Sequence, residues 1–442
     1  MLRRKAMESL LKWKNQKGNR CLILSGARQV GKTYIVRMFG SQAYESMIEL
    51  NFLETPSLKR IFEEDLDART ILSGIRLYLP ESRIIPGKTL LFLDEIQECP
   101  NAVTALKFLA VEDGIDVVAS GSALGIAYNR VTSFPVGYVD YLDMYPLDFC
   151  EFLWAMGVQD EMLPQLLKHF EERTPVPEFL HQRMMQFLRQ YMAVGGMPEV
   201  VNAFVPQRDF EAADRVQQRI HRDYLADIAR YAAPDIKLKA EKCYESIPAQ
   251  LTKENHKFQY KVVEKNGSAR KFDTSLDWLV TSHMAYPAVN LSSPEYPLKA
   301  FAVEGNVRIY PNDIGLLVGS YGFPMKAAVL EDEVLQEEAP SLILRTAKGG
   351  LYEALAADML IKAGHDRLYF YRNDAGTIEM EFFLETADGV VPVEIKAGRN
   401  RSRSLDSLLK RDTIPYGYKF ADQNVGVSGK KITMPLYMLM FV

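Results

Sequence analysis

The stretch GARQVGKT, residues 26–33, most constrains what this chain can fold into. It matches the pattern GxxxxGK[ST] in full, with the apolar run CLILS before it and a helical pattern after it. Glycines here let backbone N–H groups turn toward phosphates, Lys32 supplies positive charge to the β and γ oxygens, and Thr33 can ligate magnesium. We therefore predict a site for ATP and Mg²⁺. The predicted nucleotide-binding residues are Gly26, Ala27, Arg28, Gln29, Val30, Gly31, Lys32, Thr33, Tyr34 and Ser120.

Hydrolysis of ATP also requires a carboxylate for the metal and a group that activates water, and the run LLFLDEIQ contains both. Its four apolar residues predict a buried strand, with Asp94 and Glu95 at the tip. We assign Asp94 to magnesium and Glu95 to the attacking water, with Lys32 as the third catalytic residue. The next strand, IDVVASGS, ends in Ser120 and Ser122, which either contact the γ-phosphate or water or simply form a turn.

The order of apolar runs and helical patterns predicts the fold class. From residue 20 to about 145, apolar runs and helical patterns alternate as in an α/β three-layer sandwich with a parallel sheet. The strands of such a sheet are covered on both faces and are therefore continuously apolar in sequence. Helical patterns then dominate up to residue 235, which predicts a helical lid or a small helical bundle. Next come a helix, the strand-like KFQYKVV, a tight turn at Asn266–Gly267 and a second helix, an order typical of a winged-helix module. From residue 349, a helix, three antiparallel-like strands and a basic helix predict an α+β core.

Composition and charge limit the classes of function. A chain of 442 residues with 48% hydrophobic and 25% charged residues is typical of a globular protein with several domains. A net charge of −4 shows that the chain as a whole is not basic, so contact with nucleic acid requires local patches of basic residues. Four cysteines without CxxC pairing, and no continuous apolar stretch of about 20 residues, predict a cytoplasmic protein that does not enter a membrane.

A basic segment at residues 237–271 supplies one such patch. It contains nine lysines or arginines against four glutamates, a net of +5. Phosphate contacts need such clusters, and a helix with a basic wing is a common shape for duplex binding. A solvated face of a protein-interaction module explains the same charges. The segment therefore predicts DNA or RNA as a partner and leaves a protein partner as the alternative.

Two carboxylates and a lysine form a candidate site near the C-terminus. Strand alternation places Glu379, Glu381 and Phe383 on one face of TIEMEFF, and Glu394 and Lys396 on one face of VPVEIKA. Carboxylates on neighbouring strands can hold a divalent cation, and a lysine beside them can position or activate a water. Alternating charges on a solvated strand explain the same pattern. The following stretch KAGRNRSRSLDSLLKR holds six lysines or arginines and one aspartate, as a phosphate-binding rim would.

Together, GARQVGKT, LLFLDEIQ, SGSALGI, SFPVGYVDYLDMYPLDFCEFL, GGMPEVV and RDYLADIARY resemble the bacterial and archaeal AAA-type ATPases with a C-terminal restriction-endonuclease-like domain. The resemblance implies ATP binding and hydrolysis at Lys32, Thr33, Asp94 and Glu95. It also implies a metal-dependent nuclease core, with Glu353 as a further acidic member. Two departures from the family pattern are a glutamate, Glu381, where the first acid is usually aspartate, and FPVGYV, which lacks the usual arginine after the fourth strand. Arg28 and Arg130 remain candidates for a charge-stabilising arginine, between which the sequence does not choose.

These observations predict four domains and two competing functions. The first function is an ATPase that couples its nucleotide state to a winged-helix and nuclease-like module acting on nucleic acid. The second is a regulatory or protein-interaction ATPase whose nuclease-like domain is inactive. A small-molecule kinase is disfavoured by the paired acids of LDE and the large appended domains, and oligomeric state is left open. The predicted domains are an AAA-type P-loop ATPase domain (1–155), a helical lid (156–235), a winged-helix-like module (236–300) and a restriction-endonuclease-like domain (301–442).

Overall fold

The computed structural model describes residues 2–121, 135–253, 255–331, 342–373, 375–396 and 402–442. They form two compact units. The first comprises Arg3–Tyr145 and Thr281–His283, and the second comprises Pro146–Val280 and Met284–Val442. Within these described ranges, no helix combines the length and the apolar character needed to span a membrane. Ser122 and Arg130, which the sequence singles out, lie outside the described residues.

The first unit is a parallel sheet with helices on both faces. Its sheet order is β2-β3-β4-β1-β5, and every neighbouring pair is parallel. Along β1, Cys21 and Ile23 enter one hydrophobic core while Leu22 and Leu24 enter the other. The predicted α/β arrangement is therefore confirmed and matches a P-loop NTPase fold. The elements are α1 (Ala6–Gln16), β1 (Cys21–Ser25), α2 (Lys32–Ala43), β2 (Ser46–Asn51), α3 (Ala68–Tyr78), β3 (Thr89–Asp94), α4 (Pro100–Leu109), β4 (Ile115–Ser120) and β5 (Val139–Asp143), with 3₁₀ turns at Pro56–Phe62 and Ile96–Glu98.

The carboxyl edge of this sheet positions the candidate ATP site. Because all five strands are parallel, their ends meet at one edge. The register aligns Asn51 with Asp94 and Ser25 with Asp143. Helix α2 begins at Lys32, directly after Gly31 with its left-handed φ of 93°. The loop between β1 and α2 therefore opens at the same edge as Asp94.

The second unit begins with helices, as the pattern up to residue 235 predicts. Four helices occupy the segment predicted as a lid, α6 to α9. The boundaries of the four predicted domains stay predictions. The helices of this unit are α5 (Phe149–Ala155), α6 (Met162–Glu172), α7 (Glu178–Val194), α8 (Pro198–Phe204), α9 (Phe210–Tyr231), α10 (Pro234–Leu251), α11 (Tyr260–Val263), α12 (Ala269–Thr281), α13 (Ile314–Ser320), α14 (Phe323–Leu330), α15 (Leu342–Lys362) and α16 (Arg403–Leu408), with 3₁₀ turns at Leu298–Phe301 and Leu436–Phe441.

The strand and hairpin predicted around Asn266–Gly267 are wrong. Tyr260–Val263 form the short helix α11, and a turn leads directly into α12. Gly267 is required by a close backbone approach, since a Cβ there would lie 1.9 Å from the carbonyl oxygen of Tyr260. The Tyr260 ring also stacks on Phe272 of α12. Packing between the helices therefore overrides the strand-like alternation of KFQYKVV.

An eight-stranded mixed sheet forms the rest of the second unit, in the order β12-β13-β11-β10-β9-β8-β6-β7. The three strands predicted after residue 349 are its centre, where β9 pairs antiparallel with both β8 and β10. Five further strands extend it, and two of them, β6 and β7, precede that core in the chain as an antiparallel pair. The strands are β6 (Ala285–Leu291), β7 (Ala302–Pro311), β8 (Leu368–Arg372), β9 (Glu379–Thr386), β10 (Gly389–Ile395), β11 (Gly417–Ala421), β12 (Gly426–Ser428) and β13 (Lys431–Pro435).

Candidate functional site

The loop between β1 and α2 has the backbone of a phosphate cradle. Gly26 has a φ of 143°, and a Cβ on it would lie 2.2 Å from the carbonyl oxygen of Met144. Gln29 and Gly31 also adopt positive φ values, of 65° and 93°. These conformations turn successive N–H groups into one concavity, as anion-binding loops do. Glycine at position 26 is therefore a steric requirement of the loop.

The lysine of the loop lies against the cradle. Lys32 Nζ donates to the carbonyl oxygens of Gly26 at 2.9 Å and Ala27 at 2.8 Å. A side chain in this position carries its charge to the mouth of the loop, where phosphate oxygens would replace the carbonyls. Among the other predicted loop residues, Val30 is fully buried and Tyr34 is exposed on α2.

Asp94 is the centre of a hydrogen-bonded cluster at the carboxyl edge. Its carboxylate accepts from Thr33 Oγ1 at 3.0 Å, from Asn51 Nδ2 at 3.1 Å and from the hydroxyl of Ser120. The side chain is buried. Burial raises the pKa of Asp94, and the hydrogen bonds from Ser120 and Thr33 counteract that rise. The structure thus brings together the predicted residues Thr33, Asp94 and Ser120.

Glu95 follows directly after Asp94 in an unusual backbone conformation. Its φ of 52° lies in the left-handed region, which few residues other than glycine adopt. Its carboxylate accepts a hydrogen bond from the side chain of Gln97. The strained backbone and this partner fix the direction of the Glu95 side chain.

Two residues of this site were missed by sequence reasoning, Asn51 and Gln97. Asn51 connects two strands of the edge, because its amide nitrogen reaches Asp94 while its oxygen accepts from the backbone N–H groups of Leu53 and Glu54. The signal available in the sequence was a polar residue at the end of the SMIELN strand. Gln97 lies two residues after Glu95, within the LLFLDEIQ stretch itself.

In the second unit, the C-terminal carboxylates and lysine meet as their strand pattern predicts. Glu381 of β9 and Glu394 of β10 lie on adjacent antiparallel strands. Lys396 Nζ is 3.3 Å from Glu394 and 3.6 Å from Glu381. Burial raises the pKa of Glu381 to about 7, while Lys396 counteracts it. For Lys396, burial lowers the pKa, and the two glutamates outweigh burial and raise it.

Glu353 lies in a separate buried network close to these strands. One of its oxygens accepts from Arg308 at 2.7 Å and from the hydroxyl of Tyr310, and the other lies 2.6 Å from His256 Nδ1. Arg308 also pairs with Glu379. Burial acts to raise the pKa of Glu353, but Arg308 and His256 outweigh it and lower the pKa to about 2. The carboxylate is therefore ionised and shared among protein donors, none of which the sequence pattern identified.

The basic segment contains both paired and open cations. Glu264 pairs with Lys242 at 2.9 Å and with Lys271. The other seven basic side chains form no ion pair with a described residue. Four of them are exposed, namely Lys253, Lys261, Lys265 and Arg270. Four of the nine basic side chains of the segment are therefore both exposed and unpaired among the described residues.

Three protein families match separate parts of the chain. Residues 18–153, which include most of the first unit, match the family described as AAA domain, and this match supports an AAA-type P-loop ATPase. Residues 185–326 match a domain of unknown function, DUF8612, and residues 348–438 match another, DUF4143. Comparison with curated proteins found no match.

Several solved structures are similar to this chain at low sequence identity. The Walker-type ATPase PABY2304 of Pyrococcus abyssi is 12% identical, with 73% of this chain and 96% of that one covered at a TM-score of 0.45. The C. elegans PCH-2 structure is 12% identical and covers 48% of this chain and 67% of that one at a TM-score of 0.28. The Aeropyrum pernix ORC1 protein, solved in complex with DNA, is 13% identical and covers 75% and 95% at a TM-score of 0.29.

Proposed function

We propose that this protein binds and hydrolyses ATP in its AAA domain and couples the nucleotide state to a winged-helix-like and nuclease-like module that acts on nucleic acid. The observation that carries the ATPase proposal is the cluster of Thr33, Asn51 and Ser120 around Asp94, beside the loop that ends in Lys32. A phosphate loop alone binds nucleotide, whereas hydrolysis also needs this carboxylate.

The residues present fit ATP with Mg²⁺. The backbone N–H groups of the loop and Lys32 would hold the phosphates, and Thr33 and Asp94 would hold the metal. Both are oxygen donors, and they lie 3.0 Å apart. When bound, magnesium neutralises charge on the β and γ oxygens. Glu95, oriented by Gln97, accepts a proton from the attacking water.

ATPase assays on single variants test these roles. Lys32→Ala is expected to abolish hydrolysis, and Glu95→Gln is expected to bind ATP but turn over at least about 100-fold more slowly, as loss of a general base does. Asp113→Asn, on an exposed acid of the same unit, is the matched control. Equal turnover of Glu95→Gln and the parent protein would refute the assignment of Glu95.

The action on nucleic acid rests on the open cations of the basic segment. The basic segment runs from α10 to the start of α12, and the antiparallel pair of β6 and β7 follows α12. Binding of labelled duplex DNA, measured with and without ATP and across salt concentrations, tests the proposal. Charge reversal of Lys257, Lys261 and Lys265 together should weaken binding and reduce its salt dependence, by about 0.9 in log–log slope for each phosphate that the variant no longer neutralises.

Reversal of two exposed lysines outside the segment, Lys168 and Lys299, is the control and should leave binding unchanged. An absence of measurable DNA or RNA binding by the parent protein at low salt would remove nucleic acid from the proposed function.

The nuclease-like site contains donor atoms of the type that binds a divalent cation. Glu381 and Glu394 both supply carboxylate oxygens, and Glu394 Oε2 is buried without a hydrogen-bond partner among the described residues. Incubation of single- and double-stranded DNA or RNA with Mg²⁺ or Mn²⁺, comparing the parent with Lys396→Ala, tests cleavage. Cleavage that survives this substitution belongs to another site or another protein.

A second candidate function is a regulatory or protein-interaction ATPase whose nuclease-like domain is inactive. Two observations favour it. Lys396 already pairs with both carboxylates, and the described residues contain no group of three or more His, Cys, Asp or Glu side chains that could hold a metal. Cleavage of nucleic acid by the parent protein, lost in Lys396→Ala, would exclude this candidate.

A further inference from the structure

A cavity of about 520 Å³ lies in the second unit, lined by α9, α10, α13 and the end of β7. None of the site residues described above lines it. We propose that this cavity binds a small organic ammonium ion with an apolar or aromatic body. Its volume is in the range of small-molecule pockets, about 300–1,000 Å³.

The walls of the cavity are mainly apolar. Leu225 of α9, Ile247 and Pro248 of α10, and Leu317 of α13 all face it, and Leu317 is almost completely buried. The ring of Tyr321 adds an aromatic surface. Such walls favour a ligand with a hydrocarbon body, because its transfer from water is favourable in proportion to the apolar area removed.

The hydrogen-bond donors of three lining side chains, His221, Tyr244 and Tyr321, are already used. His221 Nε2 lies 2.9 Å from the carbonyl oxygen of Leu316 and therefore carries the proton, while Nδ1, 2.8 Å from the hydroxyl of Tyr244, accepts. Burial lowers the pKa of His221, consistent with a neutral ring. The hydroxyl of Tyr321 donates to the carbonyl of Pro248 at 2.7 Å. An anionic ligand would consequently find neither a cation nor an open donor at these three side chains.

The open polar groups are acceptors. Glu245 lines the mouth, is exposed, and forms no ion pair with any described residue. Pro248 lies inside α10 and has no N–H, so it cannot donate to the carbonyl of Tyr244 one turn earlier. A carboxylate and a backbone carbonyl beside tyrosine rings are complementary to an ammonium group, which donates hydrogen bonds and is attracted to aromatic faces.

Titration of the full-length protein with three matched probes tests this proposal. The probes are 2-phenylethylammonium, the neutral 2-phenylethanol and the anionic 3-phenylpropionate, measured by calorimetry at low salt. The amine is expected to bind about tenfold more tightly than the alcohol, which corresponds to about 1.4 kcal/mol, because only the amine donates a charge-assisted hydrogen bond. The propionate is expected not to bind.

Two substitutions locate the binding. Glu245→Gln should make the amine and the alcohol bind alike, whereas Glu241→Gln, one turn earlier on α10, should keep the preference for the amine. Ala249→Trp places a large side chain in the cavity from an exposed helix position and should abolish binding of both without lowering the thermal unfolding midpoint. Equal affinities of amine and alcohol for the parent, or amine binding that survives both Glu245→Gln and Ala249→Trp, would overturn the proposal.

Discussion

Asn51 donates a 3.1 Å hydrogen bond to Asp94, and the two residues face each other across the β2–β3 pair. The hydrogen bond goes to Oδ2 of Asp94, the same oxygen that accepts from Thr33. Residues in this position orient metal ligands, and their loss commonly lowers metal affinity or activity 10- to 100-fold.

Asn51→Ala is therefore expected to lower the ATPase rate by roughly tenfold at limiting Mg²⁺ and to recover part of it at high Mg²⁺. The measurement is the dependence of hydrolysis on Mg²⁺ concentration at saturating ATP. Asn15→Ala, at an exposed position of α1, should show the same dependence of hydrolysis on Mg²⁺ concentration as the parent. A uniform rate loss at all Mg²⁺ concentrations would show that Asn51 does not act through the metal.

Gly26→Ala is expected to abolish ATP binding, because its Cβ would lie 2.2 Å from the carbonyl oxygen of Met144. Gly87 provides the control, since it also has a positive φ, of 72°, but a Cβ there meets no atom within 4 Å. Both substitutions should lower the free energy of unfolding by about 1–3 kcal/mol through backbone strain. A fluorescent ATP analogue should then bind only the Gly87→Ala protein, and binding to Gly26→Ala would contradict the steric argument.

Glu353→Gln is expected to destabilise the protein by up to roughly 3–5 kcal/mol at neutral pH, because it removes one of the two carboxylates that pair with the buried Arg308 and leaves only Glu379. The pKa of Glu353 is lowered from 4.5 to about 2, so its ionised form stabilises the fold above pH 4.5. That stabilisation is lost as the pH falls from 4.5 toward 2. Urea unfolding measured from pH 7 to pH 3 should show that the parent and the variant differ less in free energy of unfolding below pH 4.5. Glu304→Gln, which removes an exposed ion pair with Arg367, should have nearly the same free energy of unfolding as the parent at any pH.

Lys396→Met is expected to raise the pKa of Glu381 above its value of about 7, because the charge of Lys396 is the largest influence that favours the ionised carboxylate. The ¹³C chemical shift of the Glu381 carboxyl carbon, followed as a function of pH, measures this pKa. Lys431→Met, which removes an exposed partner of Asp406, should leave the titration unchanged. An unchanged titration in Lys396→Met would show that the lysine is not the dominant partner of Glu381.

The sequence was sufficient for the ATP site where the chemistry is local. Lys32, Thr33 and Asp94 belong to short stretches with fixed spacing, and the apolar runs around them predict the parallel sheet that brings them together. The network around Glu353 was not accessible in this way, since its partners Arg308 and His256 lie 45 and 97 residues away in the chain. Contacts over such separations depend on the order of strands in the sheet, which local patterns do not encode.

The hairpin predicted at Asn266–Gly267 shows a second limit. An asparagine–glycine pair after alternating residues is typical of a tight hairpin, yet Gly267 serves a close approach to Tyr260 between two helices. The same alternation fits either structure, and only the packing of Tyr260 on Phe272 distinguishes them.

The network of Glu353 has a consequence for how relatives of this chain can be compared. Glu353 and Arg308 are ionised, buried and mutually dependent, so a lineage that lost every catalytic activity would still keep both or replace both together to preserve its fold. Their retention across an alignment would report on folding alone. Glu381 and Lys396 pair with each other outside this network, so drift at these two positions would leave the buried pair of Glu353 and Arg308 in place.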